Sequence, residues 1–533
     1  MEQLTEKRKI TIMSAIITAM FFAAINQTII GVAMPRIIAK LGGMDYYTWT
    51  ITIYLLTSTV ATILVGKLSD IYGRKPFILM GIGLFMFGAF LSGFSKDIFQ
   101  LIFYRGIQGL GAGVIMSTAF TAVGDLYAPR ERAKWTGVMS GVFSLSSVLG
   151  PVVGGYVVDH WSWHWVFWMF LPLGIVAFIM IWMLFPKVER RPGASIDYFG
   201  SLFLTVTIVL LLLGFSWAGD GQGKYPWTSW QILSLFGGSA VALAIFTWIQ
   251  TKVKSPVLPF TLFKNRVVTV SNLVGFILGA GMMGTMIYVP FFVQGVKGIP
   301  PSYSGYIMMP MSILMTVTTT LVGQIISKTG KYKKMAIAGL VTMTVGLLLL
   351  YLMDMNTPVY LVVLYMCIFG IGIGISMPIF TLTVQNAVSQ WELGVATASM
   401  QLFRSLGSTI GIAVLGTVMS SQLAKKMKES FTDTPFNPSQ MDPEVASQFQ
   451  KLLDPELLLD QPKLAEIQEQ LPPEIQGMAE QLVEMVREVF SYAITSTFLA
   501  GAIVLFLAVI VTFFLPEIPL RSAKDKKVEA EKA

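Results

Sequence analysis

The feature that most constrains this chain is a repetition. An apolar run of about 20 residues, enough to cross a hydrocarbon layer of ~30 Å as a helix, returns along almost the whole length. We place these runs at roughly 10–33, 47–68, 76–95, 98–122, 134–158, 163–185, 197–217, 229–251, 267–291, 302–326, 334–353, 358–384, 394–421 and 490–514, fourteen in all. Inside a bilayer no water meets backbone N–H and C=O groups, so such runs satisfy one another as helices. A soluble chain of 533 residues would also need more charge than the 13% found here beside 54% hydrophobic residues. The expected fold class is an all-α integral membrane protein.

The first run is long, lacks a small-residue cleavage site and follows Lys7, Arg8 and Lys9, so it reads as a span and not as a cleavable signal. The lone cysteine, Cys367, excludes a disulfide framework and a cysteine-based metal site. The net charge of +8 is scattered over loops, which is no nucleic-acid footprint. Most Lys and Arg fall on the side of the N-terminus, and the positive-inside bias puts both termini in the cytoplasm. No metal or cofactor is expected. The two histidines, His160 and His164, flank a Trp-rich outer turn, "DHWSWHWVFW". That turn reads as an interfacial aromatic belt, with a pH sensor or metal site as the alternative. Two outer histidines cannot supply a buried nucleophile and base, so an enzyme is not expected.

Two loops look like copies. "GKLSDIYGRKP" starts at Gly66 after the second run, and "GQIISKTGKYK" starts at Gly323 after the tenth, with Ser327 in place of Asp70. Copies eight helices apart suggest two six-helix bundles related by a pseudo-two-fold axis, with two helices inserted between them. Repeated halves of this kind rock about a central site in secondary transporters. The expected parts are bundle one (1–185), the inserted helices (186–266), helices 9–13 (267–421), an amphipathic outer segment (422–489), helix 14 (490–514) and a cytoplasmic tail (515–533). The outer segment reads as a helical cap or as a lid for an amphiphile, and "MAEQLVEMVREVF" is expected to run into helix 14.

Three motifs carry more than packing. In the first loop Gly66 and Gly73 allow close approach and a tight turn, while Asp70 and Arg74 can pair and lock helix ends. "LIFYRGIQGLGAG" puts Arg105 inside helix 4, where a guanidinium is costly unless it serves a site or snorkels. "SSVLGPVVGGYV" gives helix 5 a small face at Gly150, Pro151, Gly154 and Gly155, suited to a hinge or to tight packing.

In this order, "GxLxDxxGR", "RxxQGxGxG" and "GPxxGG" resemble the signature motifs of the major facilitator superfamily. "NQTIIGVAMPRI", "LGGMDYYTWTITIYLLTST", "ASIDYFG" and "RSLGSTIGIAVLG" look like its fourteen-helix drug:proton antiporter branch, and the likeness covers nearly the whole chain. The resemblance implies a monomeric exporter in the bacterial cell membrane, among membrane lipids, moving lipophilic drugs or amphiphiles outward as protons enter. It also implies a latch of Asp70, Arg74 and Asp125 that closes against the start of helix 13 near Trp391–Gly394, whose positive dipole end suits Asp70.

The chain departs from its relatives in helix 1, where they commonly carry "LDQT" and it carries "INQT". Asn26 thus stands in the place of an aspartate, and an amide has no proton to give up. Asn26, Gln27, Thr28, Arg105, Gln108 and Arg404 are the expected cavity residues, with Asn26 facing Arg105. All 30 Asp and Glu fall at or beyond helix ends, whereas Arg105 and Arg404 are intramembrane. A cavity with two arginines and no acid disfavours dications and suits neutral or anionic amphiphiles. An exporter or flippase of an anionic lipid or phosphate-bearing metabolite is therefore the alternative to proton-driven drug efflux. A non-transporting sensor is a third reading. Asp197 and Tyr198 are read as anchoring helix 7. Asn272, Gln294, Gln385, Asn386 and Gln401 are read as cavity lining or inter-helix glue. "GIGIG" at 370–374 reads as close packing, since no strand precedes it.

Overall fold

The computed structural model describes residues 5–41, 47–127, 129–186, 197–218, 225–253, 256, 258–299, 301–389, 392–432, 452–453, 457–458, 461–471 and 473–518. Within them the chain is helical apart from an isolated bridge between Ala218 and Tyr225. The N-terminal half is built from α1 (Glu6–Leu41), α2 (Tyr47–Tyr72), α3 (Arg74–Ser92), α4 (Ile98–Leu126), α5 (Pro129–His160), the short α6 (Trp165–Trp168) and α7 (Leu171–Leu184). Next come α8 (Tyr198–Trp217), α9 (Trp230–Lys252) and the turn-like α10 (Thr261–Lys264). The C-terminal half holds α11 (Arg266–Phe291), α12 (Pro301–Thr329), α13 (Lys333–Tyr351), α14 (Val359–Ala387), α15 (Leu393–Thr432), α16 (Gln461–Gln470) and α17 (Pro473–Phe513).

Among the described residues thirteen spans are long and apolar enough to cross a membrane, against the fourteen expected. The remaining run lies in α2, where Ile53–Gly66 is a shorter apolar stretch. The run expected at 163–185 is broken into α6 and α7, with Pro172 in the first turn of α7, where its missing N–H costs nothing. α11 carries Pro290 and widens into a π turn at Phe292–Val296. Two helices overrun their apolar runs. α15 continues to Thr432, and α17 starts at Pro473, so the outer "MAEQLVEMVREVF" and the last span are one helix. Hydropathy marks where the bilayer ends, while a helix can continue into water.

α1 packs on α5 and α7, and α4 on α2 and α3; across the chain α11 packs on α15 and α17, and α13 on α14 and α17. α8 and α9 pair with each other. The halves meet along α5–α12 and α2–α15. That is the fifth helix of one half on the second of the other, in both directions, as a pseudo-two-fold axis requires. Lipid tails give helices no hydrophobic reason to associate, so close backbone approach has to. A Cβ on Gly407 would meet Phe276 O, and one on Gly411 would lie 2.4 Å from Ala280 Cα. The "GIGIG" glycines also pack: Gly370 and Gly374 face Met311 and Met315 of α12, and Gly372 faces Met343 of α13. We call the end with the α2–α3 turn the motif end, and the end with α16 the cap end.

Candidate functional site

Arg105 lies seven residues inside α4 and is 1% exposed. The glycines around it explain how α4 seats it. A Cβ on Gly109 would lie 2.4 Å from Tyr54 O, and one on Gly113 would lie 2.1 Å from Ser58 O, so both press on α2. Gly111 presses on α3 at Phe85. The guanidinium carbon sits 4.2 Å from the centroid of the Tyr54 ring, and Nε reaches Thr50 O at 3.5 Å. Arg105 Nη1 donates to Gln108 Oε1 at 2.6 Å, and Gln108 Nε2 donates to Asn26 Oδ1 at 2.8 Å. Asn26 and Gln108 are both 0% exposed. Asn26 therefore meets Arg105 through Gln108 and not face to face, because the i+3 side chain on α4 intercepts it. The chain ends on Asn26 Nδ2, which has no acceptor among the described residues.

The other half repeats the couple. On α15, Arg404 Nη2 donates to Gln401 Oε1, and Gln401 Nε2 is buried without an acceptor among the described residues. Thr397, Gln401 and Arg404 share one face of α15 at i, i+4 and i+7 spacing. Thr397 Oγ1 accepts from Gln385 Nε2, which also donates to Phe120 O of α4 at 3.2 Å and so bridges the halves. Among the described residues neither Arg105 nor Arg404 forms an ion pair.

The motif end closes tightly. A Cβ on Gly66 would lie 2.5 Å from Ala398 Cβ and 3.3 Å from Gly394 O, and one on Gly124 would lie 2.1 Å from Leu393 Cδ2. Beside this seam Arg74 Nε donates to Asp125 Oδ2 at 3.0 Å, and its Nη1 donates to Ser69 Oγ at 2.6 Å. Gly73 turns the chain from α2 into α3 with φ 88°, a conformation that favours glycine. The side chain of Asp70, and Trp391, lie outside the described residues.

The remaining expected residues have other neighbours. Gln27 is exposed. Thr28 Oγ1 donates to Ser146 O of α5 at 2.8 Å. Gly150 and Gly154 pack on α1, where a Cβ would lie 2.1 Å from Thr28 Oγ1 and 3.0 Å from Ile29 O respectively. The side chain of Pro151, and Gly155, lie outside the described residues. Asp197 caps α8, accepting from Gly200 N at 2.7 Å and from Gln250 Nε2 at 2.6 Å. Asn272 Nδ2 donates to Ser399 Oγ and Gln294 Nε2 to Ser304 Oγ, each at 3.0 Å. His160 stacks on Tyr156 at 4.4 Å, and His164 on Trp163 at 3.9 Å. Sequence reasoning missed Tyr54, the platform under Arg105, and Arg132. Arg132 is 3% exposed and donates to Tyr127 O at 2.8 Å and to Gly124 O, holding the end of α4 beside the seam. Its position just inside α5 was the available signal, since a basic residue there can reach the last carbonyls of the preceding helix.

Two helical bundles meeting along reciprocal helix pairs, each with an arginine inside it, define a membrane transporter of the two-bundle type. The model of the Major Facilitator Superfamily matches residues 16–412. The chain is 37% identical over 535 residues to the multidrug transporter protein MdtP of Bacillus subtilis (strain 168), covering 99% of this chain and 97% of that one. It is 31% identical to multidrug resistance protein 3 of the same organism, over 81% of this chain and 84% of the relative. The chain belongs to the Major Facilitator Superfamily. Its fold is similar to that of the proton:xylose symporter XylE (TM-score 0.61, 12% identity, 99% of this chain and 100% of that one). It is also similar to the human organic anion transporter MFSD10 (TM-score 0.59, 13% identity, 93% and 99%).

Proposed function

We propose that this transporter exports amphiphilic small molecules from the cytoplasm or the inner leaflet by alternating access, driven by proton entry. The motif end then faces the cytoplasm of a bacterial cell, both termini are cytoplasmic, and residues 422–489 lie outside. The observation that carries the reading is the seam at the motif end. Gly66 and Gly124 close against α15 beside the Arg74–Asp125 pair, and this contact must open before a cytoplasmic substrate can enter. We assign the coupling to Asp125 together with Arg74, the ion pair that sits at this seam. The multidrug names of both Bacillus relatives support export.

A second reading concerns the cargo. Two intramembrane arginines without an ion pair among the described residues favour a neutral or anionic amphiphile, such as an anionic lipid or a phosphate-bearing metabolite, over a dication.

The test is proton release from proteoliposomes on addition of tetraphenylphosphonium or dodecyl phosphate, for wild type and Asp125→Asn. Release with at least one probe, lost in the variant, is the expected result. Transport that moves no protons overturns the coupling, and failure to move either probe overturns export.

A further inference from the structure

The two Arg–Gln couples have a property that neither arginine has alone. An arginine can only donate, so the glutamine bonded to it must present Oε1 and turn its N–H groups away. Gln108 therefore has to donate onward, and Asn26 has to receive with Oδ1. The polarity of the whole chain is set by the charge at its head, and it ends on an N–H. The same holds for Gln401, whose oxygen accepts from Arg404. Both terminal amides are buried, Asn26 at 0% and Gln401 at 7% exposure, and among the described residues both lack an acceptor. A buried donor left unmade costs ~1–3 kcal/mol, so each waits for an acceptor. Asn272 and Gln385 leave buried oxygens unpartnered instead, but neither is bonded to a charge.

The two donors stand at different depths. Gly124 of α4 packs on Leu393 of α15, which sets a common level at the motif end. Gln401 lies eight residues above it and Gln108 sixteen, or ~12 and ~24 Å at ~1.5 Å per residue. One donor belongs to each half, and roughly 12 Å along the helix direction separates them.

We propose that Asn26 and Gln401 are two stations for one oxyanion head group, a phosphate or carboxylate on an amphiphile, which meets Gln401 first and Asn26 second on its way from the motif end to the cap end. The inference rests on the reading above that the cargo is acceptor-bearing, and it names the groups that touch it. Each station offers an N–H polarised through a hydrogen-bond chain by a full positive charge, which a phosphate oxygen accepts and a quaternary ammonium cannot. Asn26→Asp would let the chain end on a carboxylate oxygen and reverse that preference. Gln401→Glu would do the same at the lower station.

The experiment uses the full chain in detergent micelles and two dansyl-labelled dodecyl probes that differ only in the head, phosphate or trimethylammonium. Wild type is expected to bind the phosphate probe at least about tenfold tighter. Asn26→Asp and Gln401→Glu are each expected to lose most of that preference and to gain affinity for the ammonium probe. Phosphatidylglycerol and inorganic phosphate serve as competitors. Displacement by the first places the natural head group in the bilayer, displacement by the second places it in water, and displacement by neither overturns the proposal. No preference in wild type overturns it without recourse to any variant, and a preference unchanged in two folded variants overturns the assignment to these amides. Transport of both probes into everted vesicles with no head-group preference would leave export standing and remove only the stations.

Discussion

Gly66 lies so close to α15 that a Cβ on it would stand 2.5 Å from Ala398 Cβ. The contact is between a backbone and a short side chain, so nothing flexible can move aside. Gly66→Val would disfavour the closed seam by about 1–3 kcal/mol, the usual cost of overpacking, which is roughly a 5- to 150-fold shift in its population. Transport should fall by a similar factor while membrane insertion is kept. The check is labelling by a membrane-impermeant thiol reagent of Val395→Cys, in a Cys367→Ser background. Labelling from the motif end should rise in the Gly66→Val chain, and unchanged labelling would mean that the seam is not a moving contact.

Arg105 is expected to tolerate nothing smaller. Arg105→Ala strips the donor from Gln108 Oε1 and the cation from the Tyr54 ring together, so transport should be abolished. Asn26→Ala only shortens the chain and should cost less. Arg105→Lys keeps the charge but not the planar fork, and should resemble alanine more than wild type. Tyr54→Phe should be mild, since it is the ring that meets the cation. Tyr54→Leu should lose the ~1–2 kcal/mol of a desolvated cation–π contact. Uptake into everted vesicles, normalised to protein, ranks the five variants. Equal activity of Arg105→Ala and wild type would make Arg105 a packing residue.

The bundle was legible because a membrane leaves a chain few choices: run length alone located the spans, and among the described residues thirteen of them have the length and apolarity to cross. The ends were less legible, since α15 and α17 keep their helical hydrogen bonds past the apolar boundary. In the site, Arg105 announced itself by its cost in a lipid environment. Gln108 as the intermediary and Tyr54 as the platform did not, because each depends on which face of α4 the glycines press against α2. Thr28 shows the limit of a motif: two residues after Asn26 in sequence, it points round the helix to Ser146. Whether a polar residue in an apolar run serves a cavity or a clasp is decided by the neighbouring helix.

At the cap end, the turn between α13 and α14 should answer to pH. Asp354 Oδ1 accepts from Thr357 Oγ1 at 2.7 Å and from Asn356 N at 2.9 Å. The Thr357 hydroxyl is the main cause of a carboxyl pKa held below its ordinary value. A depressed folded pKa gives stability that is present above the unfolded pKa and is lost as pH falls through the folded one. Thr357→Val removes the hydroxyl, so wild type should melt above the variant at neutral pH. That gap should narrow as the buffer is taken below about pH 4. It should not vanish, because Thr357 Oγ1 also accepts from Asp354 N at 2.8 Å, a bond that does not titrate. A gap that is constant with pH would assign the threonine to packing and that backbone bond alone.

The clasp between α1 and α5 makes the most specific prediction. Thr28 Oγ1 bonds Ser146 O at 2.8 Å, and a Cβ on Gly150 would come within 2.1 Å of the same Oγ1 and 2.6 Å of Thr28 Cβ. Thr28→Val should lose only the hydrogen bond, about 0.6 and at most ~1.7 kcal/mol for such bonds between membrane helices. Gly150→Ala should cost more, because the new methyl strikes a β-branched residue held by its own helix. Thr28→Gly clears both clashing atoms, so the pair Thr28→Gly/Gly150→Ala should be more stable than the two single losses predict. A coupling of about 0.5–3 kcal/mol is typical for residues in contact. Melting of the four chains in detergent closes the cycle, and additive losses would show that α5 rests on α1 through other residues than these.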